Sequence, residues 1–194
     1  SRAIGKGIMG QDGGGASTIT QQLAKLLYTV TDTVNGGVSK DKWDRLQQKF
    51  GENILAVRLE KAYTKEEIIT MYLNNFDFLF NAVGISSASQ VYFNTTPDSL
   101  KIEEAAMLVG MCKNPGLYNP LKFQLETKYD DDEAGREKRS EDSTNAYNRR
   151  NTVLQQWLKN SEAGNEALTV KITQAQYDSI SKLPIVVDYQ KVDH

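Results

Sequence analysis

The chain has 194 residues, with 23 Lys plus Arg against 25 Asp plus Glu and a formal net charge of -2. That length suits one domain, or one domain with a small lobe, and the near-neutral balance offers no global basic field for nucleic acid, so any anion must be held locally. One cysteine, Cys112, excludes a disulfide framework, and one histidine, His194, leaves no basis for histidine metal sites or Ser-His and Cys-His triads.

Residues 1–15 are glycine-rich and end in Q-D-G-G-G, which reads as a mobile loop rather than a signal peptide. Thr18 followed by Gln21 fits a capping box, and Ile19, Leu23, Leu26, Leu27 and Val30 then recur at helical spacing. Residues 31–41 read as a loop. A long helix over about residues 42–62 places Trp43, Leu46, Phe50, Ile54 and Val57 on one face and Leu55, Leu59 and Ala62 on another. That pattern predicts a helix covered on much of its circumference. Thr64 with Glu67 opens a short helix carrying Ile68, Ile69, Tyr72 and Leu73. Residues 74–83 are irregular and aromatic, and Phe76, Phe78 and Phe80 suit a core or a patch that dips into lipid.

Residues 84–93 read as helical, Pro97-Asp98-Ser99 as a turn, and 100–112 as an apolar helix stopped at Asn114-Pro115. Cys112 closes that helix as a buried thiol would. The stretch 126–142 is crowded with both signs of charge and reads as a solvated loop. Ala146, Arg150, Val153, Leu154, Trp157 and Leu158 mark a further helix, and Thr173 begins a short one between extended segments. No run of about 18 apolar residues occurs, so no segment reads as a membrane span. The class is mainly α.

Two polar stripes could carry chemistry. At about 100° per residue, Thr18, Gln22 and Lys25 line one strip of the first helix, with Ser17 at its mouth. A helix N-terminus adds unpaired N–H groups and a positive dipole end, so the strip suits a phosphate or a sugar. It suits equally a capped amphipathic helix with a solvated flank. On the long helix, Lys49, Glu52, Ala56 and Glu60 share a stripe. An ammonium three residues from a carboxylate favours its ionised form, which could steer a hydroxyl, and Ala56 leaves room for a ligand. An exposed ion pair worth about 0.2–0.5 kcal/mol has the same spacing.

The run Gly15-Ala16-Ser17-Thr18-Ile19-Thr20-Gln21-Gln22-Leu23-Ala24-Lys25 resembles the second signature of the peptidoglycan glycosyltransferases, glycosyltransferase family 51 of the bifunctional class A penicillin-binding proteins. Lys49-Phe50-Gly51-Glu52 through Ala56, Leu59 and Glu60 is similar to the third signature, K-x-x-E-x-x-x-A-x-x-L-E. Tyr72-Leu73-Asn74, Gly84-Ile85 with Tyr92-Phe93, and Tyr118-Asn119-Pro120 follow in the family's order. Arg150-Asn151 with Val153-Leu154 resembles its closing helix.

The resemblance implies a lysozyme-like helical fold with a smaller membrane-apposed lobe. It implies residues 1–160 as a partial glycosyltransferase domain and 161–194 as an extension toward a transpeptidase domain. The implied substrates are lipid II and the growing glycan chain, joined with release of undecaprenyl pyrophosphate at the extracytoplasmic face of the inner membrane. Glu52 then matches a catalytic glutamate. Lys25 and Lys49 match cations that hold the phosphates, and Ser17, Thr18 and Gln22 match polar contacts of the same cleft, where moenomycin-type inhibitors also bind. No motif calls for a cofactor or a metal site, and a divalent cation at the pyrophosphate stays open.

The first signature, E-D-x-x-F-x-x-H, with the glutamate taken as general base, is not among these residues, nor is a transmembrane anchor. The expectation is therefore a fragment that is inactive by itself. A glycan-binding or scaffold module of the same fold is the alternative, and a lysozyme-like hydrolase a third reading.

Overall fold

The computed structural model describes residues 17–34, 42–124 and 130–190, with the backbone alone for 28–34 and 42–46. Among the described residues the regular structure is helical, and the sole extended pairing is one isolated antiparallel bridge between Asp77 and Val83. The mainly-α class expected from the helical spacing holds. The chain divides into two compact units, residues 1–76 and 77–194.

The first unit holds α1 (Ile19–Val34), α2 (Lys42–Ala62) and α3 (Lys65–Asn75). Both expected capping boxes form. Thr18 Oγ1 accepts from the Gln21 amide at 3.2 Å, and Gln21 Oε1 accepts from the Thr18 amide at 2.9 Å. Thr64 and Glu67 repeat the exchange at 3.2 and 2.8 Å. Each box satisfies backbone donors that a helix start otherwise leaves orphaned. α1 packs on both other helices. The buried apolar residues are Leu23 and Ala24 on α1, Ala56 and Leu59 on α2, and Ile68 and Tyr72 on α3.

Two expectations in this unit need correction. α1 continues to Val34, so the first residues of the supposed 31–41 loop are helical, while 35–41 lie outside the described residues. On α2, Phe50, Ile54 and Val57 are 67%, 42% and 48% exposed, and Ala62 is exposed too. The covered stripe is Glu52, Ala56 and Leu59. A helix buries the side its neighbours reach, and periodicity in a helix with two apolar faces does not say which side that is. The side chains of Val30, Trp43 and Leu46 and the whole of residues 1–16 lie outside the described part.

The second unit holds α4 (Ile85–Phe93), a 3₁₀ turn at Pro97–Ser99, α5 (Ile102–Met111), α6 (Pro115–Tyr118), α7 (Leu121–Gln124), α8 (Glu133–Glu162) and α9 (Gln174–Ile180). α5 lies along α8, with Ala106, Met107, Leu108 and Met111 of one and Ala146, Leu154 and Leu158 of the other buried. Gly110 permits the close approach. A Cβ there would stand 3.2 Å from Arg149 Cγ, and Arg149 Nε donates to the Gly110 carbonyl at 3.0 Å.

A polar knot anchors the irregular segment before α4. Tyr92 donates its hydroxyl to the Phe78 carbonyl at 2.6 Å, and Asn119 Nδ2 donates to the Tyr92 oxygen at 2.6 Å. The chain at Leu79, Phe80 and Asn81 takes three successive left-handed conformations, with φ of 68°, 53° and 62°. Phe78 is fully buried, which answers for that ring in favour of core.

The supposed solvated loop at 126–142 is corrected in its second half. Residues 133–142 are the first turns of α8, capped by Asp132 Oδ1 on the Gly135 amide at 2.7 Å. The mixed charges pair along the helix: Lys138 meets Glu141 at 2.8 Å and Asp142 at 3.6 Å, and buried Asp142 also meets Lys122 at 3.4 Å. Alternating charge at i, i+3 and i, i+4 supports a helix as well as it suits a loop. α8 carries the chain through residue 160 to Glu162. Beyond α9 the extended segment is fastened to its own unit. The Ser181 carbonyl accepts from Tyr147, Arg150 and Asn151, the Ile185 carbonyl from Gln124, and the Gln190 amide donates to Val91.

Candidate functional site

All six candidate residues lie in the first unit. Ser17 and Thr18 stand exposed at the start of α1, Gln22 is half-buried one turn on, and Lys25 is exposed on the next turn. Thr18 is the N-cap itself. Its hydroxyl oxygen is engaged by the Gln21 amide, and its O–H proton stays a donor. The Gln22 side-chain carbonyl accepts from the Tyr72 hydroxyl of α3 at 2.9 Å. Thr18 and Gln22 are therefore part of the scaffold of this unit as well as of its polar strip.

On α2 the Glu52 side chain is 3% exposed, and its Oε2 lies 2.7 Å from Lys49 Nζ, whose side chain is 59% exposed. Removing a carboxylate from water costs several kcal/mol, and a close ammonium offsets that cost. The pair is thus unlike the surface ion pair that spacing alone allows. The acid is sealed in, and the base reaches from water to meet it. Buried Ala56 follows one turn along, with Glu60 exposed beyond it.

The two helices that carry the stripes are linked beside both of them. Gln21 Nε2 donates to Asn53 Oδ1 at 3.2 Å, one residue from Gln22 on one side and one residue from Glu52 on the other. The consecutive glutamines thus pin α1 in two directions, Gln21 to α2 and Gln22 to α3. The structure brings Lys49 onto Glu52, and it ties Thr18 and Gln22 to Gln21 and Tyr72 rather than to that pair. The sequence places Tyr72 on a short helix and in the family's Tyr72-Leu73-Asn74 without giving it a role, and Asn53 draws no notice there. The available signals were a phenol on a core stripe, which needs a partner when buried, and a polar residue next to the candidate acid.

In chemical terms the unit offers a buried, charge-compensated carboxylate, a cation in solvent beside it, and amide and hydroxyl donors near the start of a helix. Such groups suit an oxygen-rich anionic ligand and a proton transfer at its edge.

The second unit has reactive-looking groups that behave as structure. Burial pushes the Cys112 thiol up to about 12, so it is no nucleophile near neutrality. Burial also lowers the Arg150 guanidinium from its usual range and raises the Tyr92 phenol. Among the described residues no group of three or more His, Cys, Asp or Glu could hold a metal ion, and no helix is long and apolar enough to cross a membrane.

Comparison with known proteins places these residues in context. The sequence matches the family described as "Transglycosylase" over residues 1–157. It is 39% identical over 171 residues to penicillin-binding protein 2a of Streptococcus pneumoniae (strain ATCC BAA-255 / R6), a match over 85% of this chain and 19% of that protein. It is 37% identical over 131 residues to penicillin-binding protein 1A of Neisseria gonorrhoeae, over 66% of this chain and 15% of that one. A crystal structure of penicillin-binding protein 1A from Haemophilus influenzae aligns with a TM-score of 0.45 at 27% identity, over 66% of this chain and 15% of that chain. The 194 residues thus span less than a fifth of the length of these relatives.

Proposed function

The chain belongs to the transglycosylase family, and on that premise we propose that its residues serve a peptidoglycan glycosyltransferase that polymerises lipid II into glycan strands and releases undecaprenyl pyrophosphate. The reading places the reaction at the extracytoplasmic face of the inner membrane, in a parent protein that also carries a transpeptidase domain. The lysozyme-like arrangement with a smaller lobe apposed to the membrane belongs to the same reading. So does the expectation that residues 1–194 by themselves polymerise nothing, since the glutamate of the first signature is not among them.

One observation carries the proposal: a sealed Glu52 carboxylate 2.7 Å from the half-exposed Lys49 ammonium, on a helix tied to the one that holds Thr18, Gln22 and Lys25. The acceptor sugar's hydroxyl must lose a proton, and the departing pyrophosphate gathers negative charge. The first need falls to the first-signature glutamate, which is not among these residues, and cations at the leaving group answer the second. Glu52 is assigned to assist at the leaving group, Lys25 and Lys49 to hold the phosphates, and Ser17, Thr18 and Gln22 to supply hydrogen bonds. The positive charge for the pyrophosphate comes from the lysines in this reading, with a divalent cation as a further contributor that chelation would expose.

The test is polymerisation of lipid II by the full-length parent and by its Glu52→Gln form. The expected loss is about a hundredfold or more, with little change in melting temperature, because the amide keeps the shape and removes the charge. Equal rates would overturn the assignment.

A further inference from the structure

We propose that Tyr72 is a positioning residue, and that its hydroxyl sets the side-chain amide of Gln22 so that the NH₂ end is presented to substrate. The inference rests on the reading that Gln22 touches substrate, and it adds the residue that makes Gln22 effective.

Tyr72 is 4% exposed and sits on α3, whose first turn is fixed by the Thr64 and Glu67 exchange. Its ring packs on Phe76 with 5.4 Å between centroids. The phenol therefore cannot wander, and it is held by the core rather than by the strip it serves. Its hydroxyl donates to Gln22 Oε1 at 2.9 Å across 50 residues of sequence.

A glutamine amide has an acceptor end and a donor end. With the oxygen taken by Tyr72, the acceptor end of the amide is engaged and its NH₂ end is the one left to donate. An unrestrained glutamine loses rotamer freedom when it is ordered. A side chain ordered before the ligand arrives does not meet that cost during binding. The bond also chooses polarity. A free amide can turn either end outward, whereas this one offers donors, which suit phosphate oxygens and sugar hydroxyls. The neighbouring Gln21 is locked separately, by the Thr18 amide on its oxygen and Asn53 on its nitrogen. Gln22 is thus a fixed donor set on a helix that is itself held on two sides.

The test uses the full-length protein with lipid II as the probe and steady-state kinetics beside melting temperature. Tyr72→Phe keeps the ring and deletes the hydroxyl. It should raise KM about threefold to tenfold, the range of one lost side-chain hydrogen bond, while kcat holds. Gln22→Glu keeps the oxygen that Tyr72 binds and deletes the donors, so it should raise KM at least as far at unchanged melting temperature. Adding Tyr72→Phe to Gln22→Ala should change nothing more, because the hydroxyl then has no amide to set.

A Tyr72→Phe loss that adds in full to that of Gln22→Ala would overturn the inference, since Tyr72 would be acting elsewhere. Wild-type KM for Tyr72→Phe beside an impaired Gln22→Ala would overturn it too, and would leave the substrate role of Gln22 standing. Wild-type KM for both Gln22→Ala and Gln22→Glu would instead remove that role itself. A fall in melting temperature with KM unchanged would mark Tyr72 as packing only.

Discussion

The two units spend their buried volume differently. In residues 77–194 the interior is filled by side chains such as Phe78, Tyr92, Met107, Leu108, Met111, Leu121 and Leu154; Tyr92 and Asn119 bond one another there, and the charged Asp142 and Arg150 are buried with them. In the described part of residues 1–76 the covered apolar set is small, Leu23, Ala24, Ala56, Leu59, Ile68 and Tyr72, and a charged group, Glu52, is buried among the helices' covered positions. Large apolar side chains such as Phe50, Ile54 and Ile69 stay exposed there. Every candidate site residue lies in the first unit, whose described residues include fewer covered apolar side chains. Both units bury a carboxylate, and each offsets the cost with ammonium partners: Asp142 meets Lys122 and Lys138, whereas Glu52 has Lys49 at 2.7 Å. What sets Glu52 apart is its place, beside the polar strip of α1 and next to the Gln21 to Asn53 link.

Substitutions can break that contrast or sharpen it. The largest effect on stability belongs to the second unit. Leu154→Ala, at a fully buried position, should cost about 2–5 kcal/mol, read as a lower melting temperature. Activity per folded molecule of the parent should survive. A Leu154→Ala protein that stayed stable but lost polymerisation would erase the division between scaffold and site.

The two lysines come next and should part company. Lys49→Ala strips the buried Glu52 of its 2.7 Å partner and should cost about 1–3 kcal/mol of stability along with activity. Lys25→Ala, at an exposed position, should leave the melting temperature near its starting value. It should weaken moenomycin about tenfold by calorimetric titration, as loss of a charge-assisted contact would. Identical titrations for parent and Lys25→Ala would count against the shared cleft.

The smallest effect is expected at the exposed face of α2. Phe50→Ser should shift stability by no more than about 0.5 kcal/mol in a denaturant titration. A cost of several times that would mean that Phe50 is covered in the parent.

Much of this protein is readable without coordinates. Helical spacing, the capping pairs Thr18 with Gln21 and Thr64 with Glu67, and the stop at Asn114-Pro115 locate α1 to α5, because caps and 3.6-residue repeats are local chemistry that needs no partner to exist. The motif run from Gly15 to Lys25 carries the family, and the i, i+3 interval puts Lys49 beside Glu52 wherever the helix lies. Which faces are covered is another matter. Burial of Glu52 and exposure of Phe50 reverse what hydrophobicity implies, and only the packing of α1 on α2 and α3 decides it. Likewise the charges of residues 133–142 become helix because Asp142 finds Lys122 and Lys138. The hydroxyl of Tyr72 reaches Gln22 across 50 residues, a contact no periodicity contains. Local order follows from residues a few positions apart. The state of each polar group depends on which distant surface shields it from water, and that is a property of the tertiary structure alone.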